Sequence, residues 1–312
     1  MFRVGVDVGG TGIQIGVVDE QGKIIAEESI PTRKDLSFST QVFEIVQCIQ
    51  AAIAAAQLTE ADIASVGVGI PGIGSRDGEI IKCTNMGWHH VPFGAEFAKH
   101  MNKPVFIAND ADVAALAESV AGVSAGTSSS VFITIGTGIG SGIILNGKIW
   151  NGAHGIGGEL GHVIMRLDGV PCTCGNNGCL ERYCSATALI RMGLEAAEKH
   201  PGSLIVQMVE GNLSAIKAKT IIDAARENDP VALEVYQTYI SYLSQAVASV
   251  VNFLDPEVIV LGGGVSNAGD FLLDAVKAEY PKHVIFRDQP MADIRIAVLG
   301  SRAGIIGASM LS

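Results

Sequence analysis

Four side chains in the middle of the chain have the types and spacing of a metal site. Cys172, Cys174 and Cys179 surround a glycine turn, and His162 lies ten residues before the first of them. Three thiolates and one imidazole complete the tetrahedral shell of a zinc ion and leave no coordination position for water. The pattern therefore predicts a structural rather than a catalytic zinc site. Thiols in a loop without a metal are the alternative interpretation.

Two glutamates, Glu159 and Glu181, flank this cluster on either side. A pair of carboxylates can serve as the acid and base of a glycosidase, or it can accept hydrogen bonds from the hydroxyls of a polyol. Because a rigid zinc loop would hold both side chains, we expect positioned acceptors rather than solvated surface residues.

Three predicted strands end in glycine-rich turns. A turn without Cβ atoms lets backbone N–H groups approach an anion, which suits phosphate oxygens. None of the three has a Walker A lysine or Rossmann spacing. Ordinary hairpin turns are the alternative for each one, but the first two turns share a threonine and together predict phosphate binding. The turns contain Gly9, Gly10, Thr11 and Gly12; then Gly136, Thr137, Gly138 and Gly140; and finally Gly262, Gly263 and Gly264.

Two acidic positions at strand ends are candidates for chemistry. Asp7 lies in an apolar strand just before the first turn. A magnesium ion bridging phosphates is one partner for such a carboxylate, and the N–H groups of the turn are the other. Asn109 and Asp110 stand where a strand meets a helix, and one of them suffices as the helix N-cap. The other carboxylate is then available as a general base, although capping alone also explains the pair.

The elements that position these residues contain an internal repeat. Residues 6–13 and 133–140 share a strand, a glycine turn and a second strand, and each copy is followed by a Gly-Lys-Ile turn. Such a repeat predicts two homologous α/β domains that face each other across a cleft. Apolar residues recur at helical spacing from Leu233 to Leu254, and a final strand is expected over 294–299 before a closing helix over 302–310.

Composition restricts the classes of function. The chain has 312 residues with a formal net charge of -11, which disfavours nucleic-acid binding. We find no run of the roughly 20 apolar residues that a membrane span needs. The N-terminus passes directly into a strand, so we expect the mature protein to begin at residue 1 and to be cytoplasmic.

These motifs together resemble the ROK family of bacterial repressors, uncharacterised proteins and sugar kinases. Asp7 to Thr11 is similar to its first phosphate motif and Gly136 to Gly140 to its second. Glu159-Leu160-Gly161-His162 resembles its Glu-x-Gly-His element, and Cys172 to Glu181 its zinc element. The resemblance implies an actin-like (ribonuclease H-like) ATPase fold with two domains around a cleft. We expect a smaller domain of residues 1–120 with 300–312, and a larger domain of residues 121–299 with the zinc loop.

The resemblance also implies roles for individual residues. ATP, Mg²⁺ and a structural Zn²⁺ are the expected cofactors, and Asp110 is the expected base on the primary hydroxyl of a sugar. One ring nitrogen of His162 would bind zinc while the other faces the sugar. The nucleoside would pass close to Gly262, Gly263 and Gly264. The remaining hydroxyls would be held by Asn109, Glu159, His162 and Glu181, with Gly72 and Asn85 nearby.

The predicted activity is transfer of the ATP γ-phosphate to the C6 hydroxyl of glucose. A kinase for N-acetylmannosamine, N-acetylglucosamine, allose or fructose is the nearest alternative. A sugar-responsive repressor is the alternative from another class, but we expect too few residues before Asp7 for a DNA-binding domain. A homodimer or tetramer is expected by resemblance, with no nucleic-acid or membrane partner.

Overall fold

Short strands alternate with helices along the chain, and a computed structural model describes residues 1–75 and 77–312. The strands are β1 (Phe2–Val8), β2 (Gly12–Val18), β3 (Ile24–Pro31), β4 (Ile63–Ile70), β5 (Gly72–Gly74), β6 (Ile80–Cys83), β7 (Trp88–Val91), β8 (Val105–Asn109), β9 (Ser129–Ile135), β10 (Ile139–Leu145), β11 (Lys148–Ile149), β12 (Val258–Gly262) and β13 (Asp293–Ile296). The α-helices are α1 (Phe38–Ala55), α2 (Phe93–Phe97), α3 (Asp110–Ala121), α4 (Glu181–Cys184), α5 (Ala186–Lys199), α6 (Leu204–Gln207), α7 (Ala218–Arg226), α8 (Pro230–Leu254), α9 (Asp270–Glu279) and α10 (Ala303–Ser309). Short 3₁₀ helices cover Glu60–Asp62, Leu160–His162, Leu213–Ala215, Gly264–Ala268, Tyr280–His283 and Gly300–Arg302.

Two five-stranded sheets repeat one strand order. The first is β3-β2-β1-β4-β8 and the second is β11-β10-β9-β12-β13. In the first sheet, β1 pairs antiparallel with β2 and parallel with β4. In the second, β9 pairs parallel with β12, and β12 pairs parallel with β13. The predicted repeat is therefore confirmed, because β1–β2 and β9–β10 occupy equivalent places in their sheets.

Contacts within the chain divide it into two compact units. The first contains Met1–Ser128, Gly142–Gly158 and Val298–Ser312, and the second contains Ser129–Ser141 and Glu159–Ala297. This division differs from the expected domain bounds mainly in residues 142–158, which it assigns to the first unit. The predicted domain bounds stay a prediction, because a compact unit need not fold independently.

The first sheet buries one face against α1. Ser37 is the N-cap of this helix, and its side chain accepts a hydrogen bond from the backbone N–H of Thr40. Val42 and Ile49 on the apolar face are fully buried beside the sheet. Among the described residues, α1 is the one helix whose length and composition would also suit a membrane span. Its buried apolar face identifies it instead as a core helix of the first unit.

The longest helix, α8, begins and ends at recognisable signals. Asp229 is its N-cap and accepts a hydrogen bond from Ala232 N at 2.8 Å. At the other end, Asp255 adopts a left-handed conformation with φ of 46°, and Pro256 follows. Both signals act as expected from the physical chemistry of helix ends, so the predicted helix ending at Leu254 is confirmed.

The last strand ends at Ile296, before the end of the predicted range 294–299. The N–H groups of Val298 and Leu299 bind a buried carboxylate instead of a neighbouring strand. Val298 N and Leu299 N donate to Oε1 of Glu118 at 2.9 and 3.0 Å. Val123 N donates to Oε2 of the same side chain at 2.9 Å. Glu118 is only 1% exposed, so these bonds satisfy carboxylate oxygens that water does not reach. The prediction of strand beyond residue 296 was wrong.

Candidate active site

The first glycine turn is closed by a backbone hydrogen bond of its own and is also held by hydrogen bonds from Thr32. Gly9 N donates to Gly12 O at 2.9 Å. A Cβ on Gly9 would lie 2.7 Å from that oxygen, so only glycine permits this turn. Thr32 supports the turn from the end of β3, because its N–H donates to Thr11 O at 3.1 Å and its Oγ1 donates to Gly9 O at 2.9 Å. Gly12 itself is the first residue of β2 rather than part of the open turn.

Asp7 lies on β1 beside this turn and close to a second carboxylate. Burial, and then the negative charge of Asp110, raise the pKa of Asp7 to about 6. Helix α10 packs tightly here, since a Cβ on Gly304 would lie 2.2 Å from Oδ2 of Asp7. Gly304 was not among the predicted site residues. A glycine inside a predicted helix was the available signal, because it often marks a close approach.

Asn109 and Asp110 join the end of β8 to the start of α3. Asn109 is the N-cap, and its Oδ1 accepts a hydrogen bond from Ala111 N at 2.8 Å. Oδ1 of Asp110 accepts from the same N–H at 2.9 Å. The Asn109 amide also donates to Gly72 O at 3.1 Å. These contacts bring together three residues that the sequence predicted for sugar binding or catalysis.

Asn85 lies in the short loop between β6 and β7 and faces the first glycine turn. A Cβ built on Gly10 would lie 3.5 Å from Nδ2 of Asn85, which is ordinary van der Waals contact. Strand β6 also pairs with β5 so closely that a Cβ on Gly72 would meet Lys82 O at 1.9 Å. The small three-stranded sheet therefore positions both Gly72 and Asn85.

In the second unit, the second glycine turn is held by the start of α5. Gly136 N donates to Gly138 O at 3.0 Å, which closes the turn. Ala186 N donates to Gly136 O at 2.8 Å, and Thr187 Oγ1 donates to Thr137 O at 2.7 Å. Gly140 lies within β10 and not in the turn.

The third glycine turn lies against the end of β9, where the second turn begins. Gly263 has φ of +81°, and a Cβ there would lie 2.6 Å from the backbone of Ile135. Ser266 stabilises the turn by donating its Oγ hydrogen to Gly263 O at 2.7 Å. The second and third turns are therefore adjacent in the second unit.

His162, Cys172, Cys174 and Cys179 form a compact group in the second unit. Their ligand atoms all lie within 4.8 Å of one another. Sγ of Cys174 lies 3.5 Å from Sγ of Cys179, and Nδ1 of His162 lies 3.8 Å from Sγ of Cys172. Bonds of about 2.3 Å to sulfur and 2.0 Å to nitrogen in a tetrahedral shell would require separations of about 3.5 to 3.8 Å. The four side chains therefore fit a zinc ion, with Nδ1 as the histidine ligand atom.

The thiols of Cys174 and Cys179 differ in pKa. Burial raises the pKa of Cys179 to about 12. The backbone N–H of Asn176 lowers the pKa of the exposed Cys174. The loop around them is held by bonds such as Cys172 N to Asn176 O at 2.8 Å. Gly178 has φ of +77° and approaches Arg166 O so closely that no side chain fits.

Glu181 connects the cysteine group with the second glycine turn. Its Oε2 accepts a hydrogen bond from Ile139 N at 3.0 Å, and its Oε1 lies 3.9 Å from Sγ of Cys172. A Cβ on Gly138 would lie 2.2 Å from Oε2, so the turn fits around this carboxylate. Glu159 instead begins the short helix that carries His162 and is exposed. This support of the second glycine turn by Glu181 was not predicted from the sequence.

Comparison with known proteins identifies the family. The sequence profile of the ROK family matches residues 3–312. The chain belongs to the ROK family. A glucokinase of Halalkalibacterium halodurans is 36% identical over 99% of this chain and 94% of its own. The xylose repressor of Bacillus subtilis is 26% identical, over 99% of this chain and 76% of its own.

A solved structure agrees with the assignment. The ROK family glucokinase of Streptomyces griseus, in complex with glucose and AMPPNP, superposes with a TM-score of 0.78. It is 32% identical, and the match covers 99% of this chain and 98% of that one. The predicted actin-like fold is therefore confirmed, with the duplicated strand–turn–strand units as its sequence signature.

Proposed function

We propose that the chain is an ATP-dependent hexokinase that transfers the γ-phosphate of ATP to the C6 hydroxyl of glucose. The observation that carries the proposal is the pair of carboxylates Asp7 and Asp110 beside the first glycine turn. Phosphoryl transfer asks a protein mainly to align the reactants and to stabilise charge. A phosphate turn, a carboxylate for the metal and a carboxylate for the hydroxyl meet both requirements. The similarity to the glucokinases supports glucose as the sugar.

We assign Asp110 as the general base that accepts the proton of the C6 hydroxyl. It lies in the first turn of α3, and its Oδ1 accepts a hydrogen bond from Ala111 N, which orients the carboxylate. Burial and the nearby charge of Asp110 raise the pKa of Asp7.

The expected nucleotide contacts are the three glycine turns, and the expected magnesium residue is Asp7. Mg²⁺ prefers oxygen ligands and binds through one or two carboxylates together with phosphate oxygens. Asp7 fits that preference, since it is a partly buried carboxylate next to Gly9. When bound, magnesium would neutralise charge on the phosphates. Gly12 and Gly140 would contribute as residues of the strands that follow the turns rather than by direct contact.

For the sugar, we propose the hydroxyl contacts expected from the resemblance. In the first unit, Gly72 and Asn85 would line the sugar beside Asn109, whose amide is oriented by its bond to Gly72 O. In the second unit, Glu159 and His162 would each accept or donate one hydrogen bond. Glu181 would orient the turn through Ile139 N while one of its oxygens also faces a hydroxyl.

A structural zinc is proposed for His162, Cys172, Cys174 and Cys179. The ligand separations and the buried thiol of Cys179 support it, because a buried thiolate needs a cation beside it. Bound zinc would hold the loop and orient the imidazole of His162. With Nδ1 on the thiol side, Nε2 is the ring nitrogen left to face the sugar.

The alternatives are separated by two assays. Coupled ATP turnover with glucose, N-acetylmannosamine, N-acetylglucosamine, allose and fructose should rank glucose first by kcat/KM. Asp110→Asn should lose nearly all of this activity, whereas Glu27→Gln, which removes an exposed carboxylate from β3, should keep it. Near wild-type turnover by Asp110→Asn would overturn the proposal. Tight, salt-sensitive binding of duplex DNA would instead favour the repressor, although the identity to the repressor is lower. A cytoplasmic location and a homo-oligomer remain predictions.

A further inference from the structure

One buried amide links two parts of the first unit that the proposed function uses separately. Gln41 lies in the first turn of α1 and is 4% exposed. Its Nε2 donates to Arg33 O at 2.6 Å, and its Oε1 accepts from Nε1 of Trp88 at 2.5 Å. An indole N–H can only donate and a carbonyl oxygen can only accept. The orientation of the Gln41 amide is therefore fixed by its partners.

The Arg33 end of this link leads to the first glycine turn. Arg33 follows Thr32 in the chain, and Thr32 makes two hydrogen bonds to the turn, from N–H to Thr11 O and from Oγ1 to Gly9 O. The bond from Gln41 holds the carbonyl group of the next residue, Arg33. The segment after β3 is thus held between the phosphate turn on one side and α1 on the other.

The Trp88 end leads to the loop that carries Asn85. Trp88 is the first residue of β7 and is paired with Cys83, the last residue of β6, so this pair closes the loop of residues 84–87. Trp88 is 2% exposed and packs edge-on against Phe38 of α1, with ring centroids 5.7 Å apart. In this loop, Nδ2 of Asn85 lies near Gly10, 3.5 Å from where a Cβ on that glycine would be.

The hydrogen bonds, together with the proximity of Asn85 to Gly10, therefore form a ring of neighbouring residues inside the first unit. It runs from the phosphate turn through Thr32 and Gln41 to Trp88, and returns to the turn through Asn85. We propose that Gln41 is a positioning residue that fixes the spacing between the phosphate turn and the Asn85 loop, and so the spacing between the phosphate and the sugar. The inference rests on the proposed function, because it assigns phosphate to one end and sugar to the other.

A purely structural role would be simpler, since a buried indole N–H needs an acceptor. Three substitutions separate the two roles. Gln41→Met keeps the length of the side chain and removes both bonds. Trp88→Phe removes only the bond at the loop end, and Thr32→Val removes only the Oγ1 bond to the turn. Ile45→Val, one helical turn further along α1 and fully buried, is the control for general loss of stability.

The positioning role predicts that the substitutions change the KM values for ATP and for glucose differently. Thr32→Val should raise the KM for ATP about fivefold and leave the KM for glucose within about twofold, as expected for one lost hydrogen bond. Trp88→Phe should show the reverse, and Gln41→Met should raise both KM values by at least about fivefold each, with a smaller change in kcat. Ile45→Val should lower Tm without changing either KM. A Gln41→Met protein with lowered Tm and both KM values unchanged would overturn the inference.

Binding measurements keep this test separate from the test of the function. Calorimetric Kd values for ATP need no turnover, so they report on the phosphate end even if no hexose is phosphorylated. An unmodified chain that turns over no hexose would refute the proposed function alone. A Kd for ATP that rises about fivefold in both Thr32→Val and Gln41→Met but not in Ile45→Val would still support the ring. An unchanged Kd for ATP in Gln41→Met would overturn it.

Discussion

Ionisation of Asp7 should destabilise the chain when neither nucleotide nor magnesium is present. Burial and the nearby charge of Asp110 raise the pKa of this carboxyl from its ordinary 3.8 to about 6. The folded state therefore binds the proton more tightly than the unfolded state does. The resulting stability is fully present below pH 3.8 and is lost as the pH rises through 6. Asp7→Asn removes the titration, so it should be stabilised relative to wild type at alkaline pH.

The size of the effect follows from the two pKa values. At 1.36 kcal/mol per pKa unit, the interval from 3.8 to about 6 corresponds to about 3 kcal/mol in the free energy of unfolding. About 1.4 kcal/mol of this should be lost between pH 5 and pH 8, and most of the remainder at lower pH. Between these two pH values, Asp7→Asn should gain about 1.4 kcal/mol relative to wild type.

Urea unfolding of both proteins across this pH range gives the difference directly, because the other carboxyl groups cancel. Asp62→Asn is the matched control. Hydrogen bonds from Thr59 lower the pKa of the exposed Asp62. The stability that this carboxylate adds is therefore lost only when the pH falls below 3.8, the ordinary pKa of the group. The difference in free energy of unfolding between Asp62→Asn and wild type should therefore stay constant from pH 5 to pH 8. A constant difference for Asp7→Asn as well would refute the assignment of a strained carboxylate beside the phosphate turn.

Four further outcomes are expected. Asp110→Asn should lower kcat by a factor of about 10² to 10⁴ with little change in the Kd for ATP, measured by turnover and calorimetry. Gly304→Ala should raise the KM for magnesium–ATP, because its Cβ would collide with Oδ2 of Asp7, and titration with Mg²⁺ would show it. Glu118→Ala should lower the free energy of unfolding by at least about 3 kcal/mol in urea, since three N–H groups lose the buried carboxylate that accepts their hydrogen bonds. Cys179→Ser should contain less than one equivalent of zinc by elemental analysis and show a raised KM for glucose, and a normal zinc content would contradict the proposed ligand set.

Local signals in the sequence predicted the elements well. Apolar periodicity and the Asp255-Pro256 stop identified α8, and the repeated glycine turns identified the duplicated sheets. Such signals are read from neighbouring residues, because helix ends and tight turns are decided by the local backbone. The spacing of the three cysteines and the histidine likewise predicted that these four side chains lie together, as they do in the second unit.

The end of the last strand could not be predicted from local pattern. Residues 297–299 are apolar and continue the strand pattern, yet Val298 and Leu299 donate to a carboxylate that lies 180 residues earlier in the chain. A buried glutamate is uncommon enough that nothing around Glu118 in the sequence indicates it. The strand ends because a partner from α3 competes for its N–H groups, and this partner is visible only in the fold.

Glu181 shows most clearly what a motif can and cannot assign. The resemblance placed it on the sugar, as the residue that follows the zinc element. In the folded chain its Oε2 accepts a bond from Ile139 N, and its Oε1 lies 3.9 Å from Sγ of Cys172. One carboxylate thus contacts both the cysteine group and the strand that follows the second glycine turn. A motif records that these residues occur together, but it cannot tell a ligand contact from a support. Loss of zinc should therefore disturb the second glycine turn as well as the sugar contacts, so chelation should raise the KM for ATP and the KM for glucose. If chelation raises the KM for glucose alone, Glu181 acts on the sugar and does not support the turn.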